Sequence, residues 1–189
     1  MNYPASYYLK LMQMRVIPSY PCDTSNVPAA KAAHNACIKM GCWPMLSLTW
    51  LRELAKLCKK KRVLEVYAGG GWLAKYLHSK GIEVMAIDNF QFLAEGTHEI
   101  EPVYRVQQMY AELAIETLQH RYDVLLMSWP PIDATKLQWK KEVIFIGNES
   151  CANTEFLSNY TWNIEMPLPS WPGYTDFMRV GRMKECQQS

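Results

Sequence analysis

Glu65, the glycines Gly69 and Gly71, Asp88 and the run Ser128-Trp129-Pro130-Pro131 have the residue types and spacing of working chemistry. The first three belong together. Residues 62–74 read Arg-Val-Leu-Glu-Val-Tyr-Ala-Gly-Gly-Gly-Trp-Leu-Ala, a β-branched apolar run that ends in glycines and passes straight into a helical pattern. Strand, tight turn and helix in that order form a nucleotide cradle, because glycine supplies backbone angles that side chains forbid and lets a ligand approach the main chain beside a helix N-terminus.

Two ligand classes suit such a turn. Gly69-x-Gly71-x-x-Ala74 fits the dinucleotide fingerprint, which sets a helix N-terminus against a pyrophosphate. Glu65 shifts the weight, since a carboxylate at the strand end repels phosphate and attracts a cation. S-adenosyl-L-methionine, with its sulfonium and ammonium groups, is a ligand of that kind. With an acidic residue, three residues and then Gly-x-Gly, the chain resembles the class I S-adenosylmethionine-dependent methyltransferases, with Tyr67 standing where that family often has glycine. The next strand, residues 82–87, ends in Asp88, about twenty residues past the glycines, where a carboxylate grips a ribose by its hydroxyls. Asn89 extends that grip, and Phe90 and Phe92 are candidates for an apolar wall around adenine. The resemblance implies an acidic residue after the third strand to meet the adenine amino group; Gln107, Gln108 and Met109 stand there instead, and Gln108 is the candidate.

The fourth strand ends in Ser128-Trp129-Pro130-Pro131. Two prolines beyond a central strand stop the ladder and stiffen a loop at the carboxyl edge. The run resembles the Asx-or-Ser-Pro-Pro-aromatic motif of amino methyltransferases, with Trp129 interposed and Ile132 in place of the aromatic. On that resemblance Ser128 orients a methyl acceptor, and Trp129 and Pro130 shape its pocket; a rigid loop is the alternative. A wider resemblance from about Trp43 onward, through Val-Leu-Glu-Val-Tyr-Ala-Gly-Gly-Gly, Asp-Val-Leu-Leu-Met-Ser-Trp-Pro-Pro, Ile-Phe-Ile-Gly-Asn-Glu-Ser and Pro-Ser-Trp-Pro-Gly-Tyr-Thr-Asp, is to a poorly characterised group of small methyltransferase-like proteins. It implies that Glu149 faces the same pocket; a loop cap is the alternative.

The elements that must position these residues alternate. Helix over 72–79, strand over 82–87, a weak third strand over 103–106, helix over 110–119, strand over 122–127 and strand over 143–146 succeed one another. Residues 162–166 and 175–180 then read as an antiparallel pair. The expected fold is α/β, a Rossmann-like methyltransferase fold with a mostly parallel twisted sheet, helices on both faces and a C-terminal antiparallel hairpin. The expected division is a helical N-terminal extension over 1–44 and an S-adenosylmethionine-binding domain over 45–189. The extension holds an amphipathic piece (7–16) and an alanine-rich helix (28–40) closed by Gly41. Its tyrosines, Tyr3, Tyr7, Tyr8 and Tyr20, suit a lid, an extra layer or a homodimer or protein contact, and His34 is given no catalytic role. Leucines from Leu46 to Leu57 recur at helical spacing.

A net charge of +2 gives no sign of an extensive nucleic-acid footprint. Six scattered cysteines, with no Cys-x-x-Cys or His pair at ligand spacing, predict reduced thiols and no metal site. With no secretory signal and no run of membrane-spanning length, the expected compartment is the cytoplasm and no membrane is involved. The leading function is methyl transfer from S-adenosylmethionine to an unidentified acceptor. The alternative is a non-catalytic, methyltransferase-like binding or regulatory protein acting through protein contacts. Nicotinamide-dependent oxidoreduction leaves Glu65 unexplained.

Overall fold

The computed structural model describes residues 1–91, 100–131, 137–151 and 154–184; Phe92, Ile132 and Cys186 lie outside them. Its strands are β1 (Val63–Val66), β2 (Val84–Asp88), β3 (Val106–Gln108), β4 (Val124–Ser128), β5 (Glu142–Gly147), β6 (Tyr160–Pro167) and β7 (Phe177–Met183). Its helices are α1 (Ala5–Gln13), α2 (Val27–Lys39), α3 (Leu48–Leu57), α4 (Trp72–Ser79), α5 (Ala111–Leu118) and α6 (Thr154–Ser158). The strands form one sheet in the order β3-β2-β1-β4-β5-β7-β6. Pairing is parallel from β3 through β5, and only β7 runs antiparallel to its neighbours β5 and β6. This is a Rossmann-like arrangement, with the reversed strand inserted at one side.

Every residue of β1 and β4 is buried, as befits central strands covered on both faces. Alternation divides their side chains between two cores. Val63, Val124, Leu126, Ile144, Ile146, Met178 and Val180 face one layer; Leu64, Val66, Leu125, Met127, Val143, Phe145 and Phe177 face the other. Ala111, Ala114 and Ile115 of α5 cover the second face at helical spacing, together with Phe156 of α6.

The first face is covered by α3 and α4 and also by residues 1–44. Tyr8 and Met12 of α1, Cys22, and Ala33 and Cys37 of α2 belong to the same buried cluster as Val63, Val124 and Ile144. Asn26 starts α2 by accepting the Ala29 N–H at 3.1 Å, with Pro28 in the first turn where its missing donor is harmless. The Tyr8 hydroxyl donates to the Leu46 carbonyl at 2.9 Å, and the Tyr3 N–H to the Pro21 carbonyl at 2.8 Å. The segment read from sequence as an extension thus shares its core with the sheet.

One strand is displaced from its expected place. The third strand covers Val106–Gln108, not 103–106, because the Val103 N–H is taken by the Gly70 carbonyl at 2.8 Å and holds that residue against the glycine turn. The second strand starts at Val84, since the Ile82 N–H closes the end of α4 on the Leu77 carbonyl at 3.2 Å. Among the described residues no helix is long and apolar enough to cross a membrane.

Because α1 is core, Met12→Ala should lower unfolding free energy by about 2–5 kcal/mol, the range for a buried methionine truncated to alanine. Urea unfolding followed by far-ultraviolet dichroism and by tryptophan fluorescence should show one common transition shifted to lower denaturant. A transition left at the wild-type midpoint would separate residues 1–44 from the sheet's cooperative unit.

Candidate functional site

At the carboxyl ends of β1, β2 and β4 the chain turns through left-handed backbone at three side-chain-bearing residues: Tyr67 (φ 57°), Phe90 (φ 54°) and Trp129 (φ 51°). Such angles are costly for residues with a Cβ and gather where a site fixes its side chains. Tyr67 and Trp129 both line a cleft of about 570 Å3, with Trp43, Asp88, Asn89, Gln91, Tyr110, Glu112 and Pro131. That volume lies within the range of small-molecule sites, roughly 300–1,000 Å3.

Asp88 is the best-held side chain in the cleft. Its Oδ2 accepts the Gly69 N–H at 2.7 Å and its Oδ1 accepts the Phe90 N–H at 2.7 Å. Burial raises its pKa, and these two backbone donors oppose the rise. A carboxylate has about four acceptor positions, so two N–H bonds leave others for hydroxyls in the cleft. Asn89 lies beside it but its amide oxygen takes the Gln91 N–H at 2.9 Å, closing a local turn.

The glycine turn is enclosed by the chain itself. The loop after α2 lies on it, with the Gly70 N–H donated to the Gly41 carbonyl at 2.9 Å. A Cβ on Gly69 would stand 2.5 Å from the Gly41 oxygen and 2.6 Å from the Trp43 ring, and one on Gly70 would stand 2.5 Å from the Met40 oxygen. Close backbone approach does require glycine here, but the approaching backbone belongs to residues 40–43. The turn's donors are all engaged: Gly69 to Asp88, Gly70 to Gly41, and Gly71 to the Ala68 carbonyl at 2.8 Å. Gly71 itself caps α4 at φ 74°.

Glu65 points from β1 toward the start of α4. It is almost fully buried, and burial pushes its carboxyl up to about 8 against the pull of the Ala74 N–H and with a smaller upward push from Asp88. The Oε2 atom has no hydrogen-bond partner among the described residues. Glu65 and Ser128 both border a void of only about 10 Å3 beneath Trp43 and Tyr67, which separate it from the large cleft. Glu65 thus places a carboxyl at a helix N-terminus, where the helix dipole favours it.

Of the other expected residues, Trp129 borders the cleft, its N–H donated to the Ile146 carbonyl at 2.7 Å. Pro131 lines the cleft, whereas Pro130 is buried beside it. Gln108, paired in register with Asp88, is exposed and does not line the cleft; Glu112, in the first turn of α5, does. Glu112 went unnoticed in the sequence because it lies beyond the end of the third strand, inside a helix with an ordinary amphipathic pattern. Glu149 is largely exposed and pairs with Arg179 at 3.8 Å. His34 is buried, and burial lowers its pKa to about 4 against a hydrogen bond to the Trp43 backbone.

Several solved methyltransferases align with part of this chain. The Pyrococcus abyssi tRNA (uracil-54, C5)-methyltransferase in complex with S-adenosyl-L-homocysteine is 15% identical over 71% of this chain and 37% of its own, with a TM-score of 0.45. M. capricolum TrmK with S-adenosyl-homocysteine is 13% identical over 74% of this chain and 70% of its own, at 0.48. Streptococcus pneumoniae Sp1610, a putative tRNA (m1A22) methyltransferase in complex with S-adenosyl-L-methionine, is 14% identical over 75% of each chain, at 0.46. The chain spans 37% of the length of the Pyrococcus protein and 48% of Thermus thermophilus TrmN. No family model and no curated protein matches the chain. Likeness of this degree says nothing of chemistry, so the functional reading rests on the residues.

The buried carboxyl of Glu65 makes a pH prediction. A group whose folded pKa is raised from 4.5 to about 8 contributes stability in full below pH 4.5, and that contribution is lost as pH rises through 8. Glu65→Gln should therefore become progressively more stable than wild type between pH 5 and pH 8, with a limiting slope of about 1.4 kcal/mol per pH unit. Calorimetric melting of both proteins across that range checks it, and a difference that stays constant with pH would remove Glu65 as the cause.

Proposed function

We propose that the 570 Å3 cleft binds S-adenosyl-L-methionine and that the protein is a methyltransferase. The observation that supports this best is the state of the glycine turn. Gly69, Gly70 and Gly71 each give their N–H to a partner within the chain, and the Glu65 carboxyl takes the Ala74 N–H at the helix start, so the turn offers a pyrophosphate no free glycine donors. The same turn aims Asp88 into the cleft, with acceptor capacity left for the two hydroxyls of a ribose. Tyr67, Tyr110 and Trp129 add apolar walls, and Glu112 an acceptor for an amino group. These residues fit an adenosyl group with a cationic tail better than they fit a dinucleotide.

When bound, S-adenosylmethionine supplies an electrophilic methyl group on a sulfonium. Asp88 would hold the ribose, and Trp129, fixed by its strained backbone and its bond to β5, would position the acceptor. Positioning of this kind, with little covalent work by the protein, is a large source of rate. The buried cysteine thiols Cys22, Cys37, Cys42, Cys58 and Cys151, all free, support a reducing, cytoplasmic setting. A second reading, a cofactor-binding regulator without turnover, draws on the cleft's lining, which among the described residues includes no histidine or lysine to take a proton.

Titration calorimetry against S-adenosylmethionine, S-adenosylhomocysteine and a nicotinamide dinucleotide separates these ligands. Binding of the dinucleotide alone would end the proposal. Asp88→Ala should weaken binding of either sulfur ligand by about 1.5–3 kcal/mol, the range for hydrogen bonds to a charged group, while the variant keeps its fold by dichroism. For catalysis, Trp129→Ala should lower methyl transfer to cell extracts by roughly tenfold or more, about 1.4 kcal/mol of transition-state positioning. A wild type that binds the cofactor yet transfers no methyl to nucleic acid, protein or small-molecule extracts would favour the regulator.

A further inference from the structure

The register of the sheet sets the amino ends of five neighbouring strands in one row. Val84 of β2 pairs with Val63 of β1, Val63 with Val124 of β4, Val124 with Glu142 of β5, and Glu142 with Arg182 of β7. At about 4.8 Å between neighbours the row is about 19 Å long. It lies at the opposite end of the strands from the cleft, and the residues that flank it are basic. Lys59, Lys60, Lys61 and Arg62 lead into β1, and Lys80 stands before β2. Arg121 precedes β4, Lys140 and Lys141 precede β5, and Arg182 and Lys184 stand where β7 arrives. A net charge of +2 hides this edge, because the cleft at the other end is lined by Asp88 and Glu112 and, among the described residues, by no lysine, arginine or histidine.

Local partners use part of this charge. Arg62 pairs with Asp123 at 3.2 Å and Lys61 with Glu142 at 2.5 Å, while the Lys141 ammonium donates to the Gln119 carbonyl at 2.9 Å and to that of Tyr122. Lys59, Lys60, Arg121, Lys140, Arg182 and Lys184 are exposed and have no ion pair among the described residues. Against these six stands Glu83, exposed and likewise unpaired among the described residues. The C-terminal ends of α3, α4 and α5 reach the same edge, each equivalent to about half a negative charge, so they offset about one and a half of the six. Several positive charges are left over.

At one end of the row this charge lines a hollow. Between α3 and α4 a cavity of about 290 Å3 has Arg52, Lys56, Lys59 and Lys80 around a floor of Ala55, Tyr76 and Ile82. The Lys80 ammonium lies 5.2 Å from the centre of the Tyr76 ring, and Lys56 pairs with Glu53 at 2.7 Å. Arg52 and Lys56, one turn apart on α3, repel each other, a cost that a bound anion removes.

We propose that this edge docks the phosphate backbone of a nucleic-acid strand, with one phosphate seated in the hollow among Arg52, Lys59 and Lys80. The unpaired cations follow a line, as the phosphates of a strand do, and the line ends in a cavity that a protruding group fills. An anionic membrane would meet the same charges. It would find no apolar anchor, because the exposed large apolar side chains, Tyr110, Leu113 and Ile164 among them, stand elsewhere. The strand so held is not the methyl acceptor, since the length of β1 and β4 keeps it about 15 Å from the cleft. Docking of this kind is independent of methyl transfer in the cleft.

The test is fluorescence anisotropy of a labelled RNA strand of mixed sequence, about 20 nucleotides long, titrated with the whole chain at about 50 and about 200 mM salt. Binding should saturate at the lower salt. Six contacts on a single strand release about 0.7 ion each, so affinity should fall by at least about a hundredfold at the higher salt. Lys59→Glu with Lys60→Glu and Lys140→Glu should weaken binding at the lower salt by at least about tenfold. Lys10→Glu with Lys31→Glu and Lys39→Glu changes the net charge equally on α1 and α2, and should weaken it by less than about threefold. No saturation at the lower salt, affinity indifferent to salt, or equal loss in the two triple variants would each overturn the proposal. Tighter binding to vesicles of phosphatidylserine and phosphatidylcholine than to the RNA would overturn it in favour of a membrane surface. Should the edge variant fail to fold by dichroism, wild type decides: bound RNA should protect Lys59, Lys60 and Lys140 from acetylation and leave Lys31 reactive, and protection spread evenly over the four would overturn the docking edge.

Discussion

The contact on which the rest depends is backbone against backbone: the loop at Gly41 lying on the glycine turn at Gly70. Neither side tolerates a Cβ, since one on Gly41 would stand 2.4 Å from the Gly70 nitrogen. Two segments that meet this closely can exchange a main-chain hydrogen bond without intervening side chains, and the contact leaves almost no freedom of relative position. The neighbouring carbonyls extend it. Met40 accepts the Trp72 indole N–H at 3.0 Å and Trp43 accepts that of Trp171 at 3.0 Å. One short loop therefore ties the N-terminal helices to the start of α4 and to the approach of the reversed strand.

That tie shapes the chemistry on both sides of it. Below the loop, Glu65 is sealed into a low-dielectric space where its ionised form is disfavoured and a nearby cation is worth more than in water. Beside it, Asp88 is gripped by the turn it helps to hold, so that its remaining lone pairs have a fixed direction. Beyond it, Trp129 lines the large cleft, its ring 6.2 Å from His34 and 4.9 Å from Tyr174. Its indole nitrogen is buried, with no hydrogen-bond partner among the described residues.

Local signals were legible in the sequence where a few residues decide the outcome. Helix α4 has the bounds its pattern predicts, because glycine before it and Lys80-Gly81 after it act within one turn. The central strands were plain from their continuous apolar runs. The third strand was not, because the tie of Val103 to Gly70 is a tertiary hydrogen bond that no local periodicity records. The N-terminal tyrosines and alanines have the texture of an appendage, yet Tyr8 and Ala33 are core. Their partners lie far along the chain, and composition cannot show that.

The sequence by itself determined the α/β order, the reversed strand near the C-terminus, the glycine turn and the two carboxylates Glu65 and Asp88 around it, since each is set by short-range sterics and the period of apolar residues. It also marked Ser128-Trp129-Pro130 as the end of a central strand. Only the tertiary structure decided that the turn's N–H donors are already engaged, that Glu65 is shielded from the cleft, that Glu112 lines it while Gln108 lies outside, and that His34 stacks on Trp171. His34 and Trp171 are separated by most of the chain. What joins them is the packing of α2 on the first face of the sheet, which sets the His34 ring against Trp171, and that placement is a property of the folded chain with no trace in the spacing of its residues.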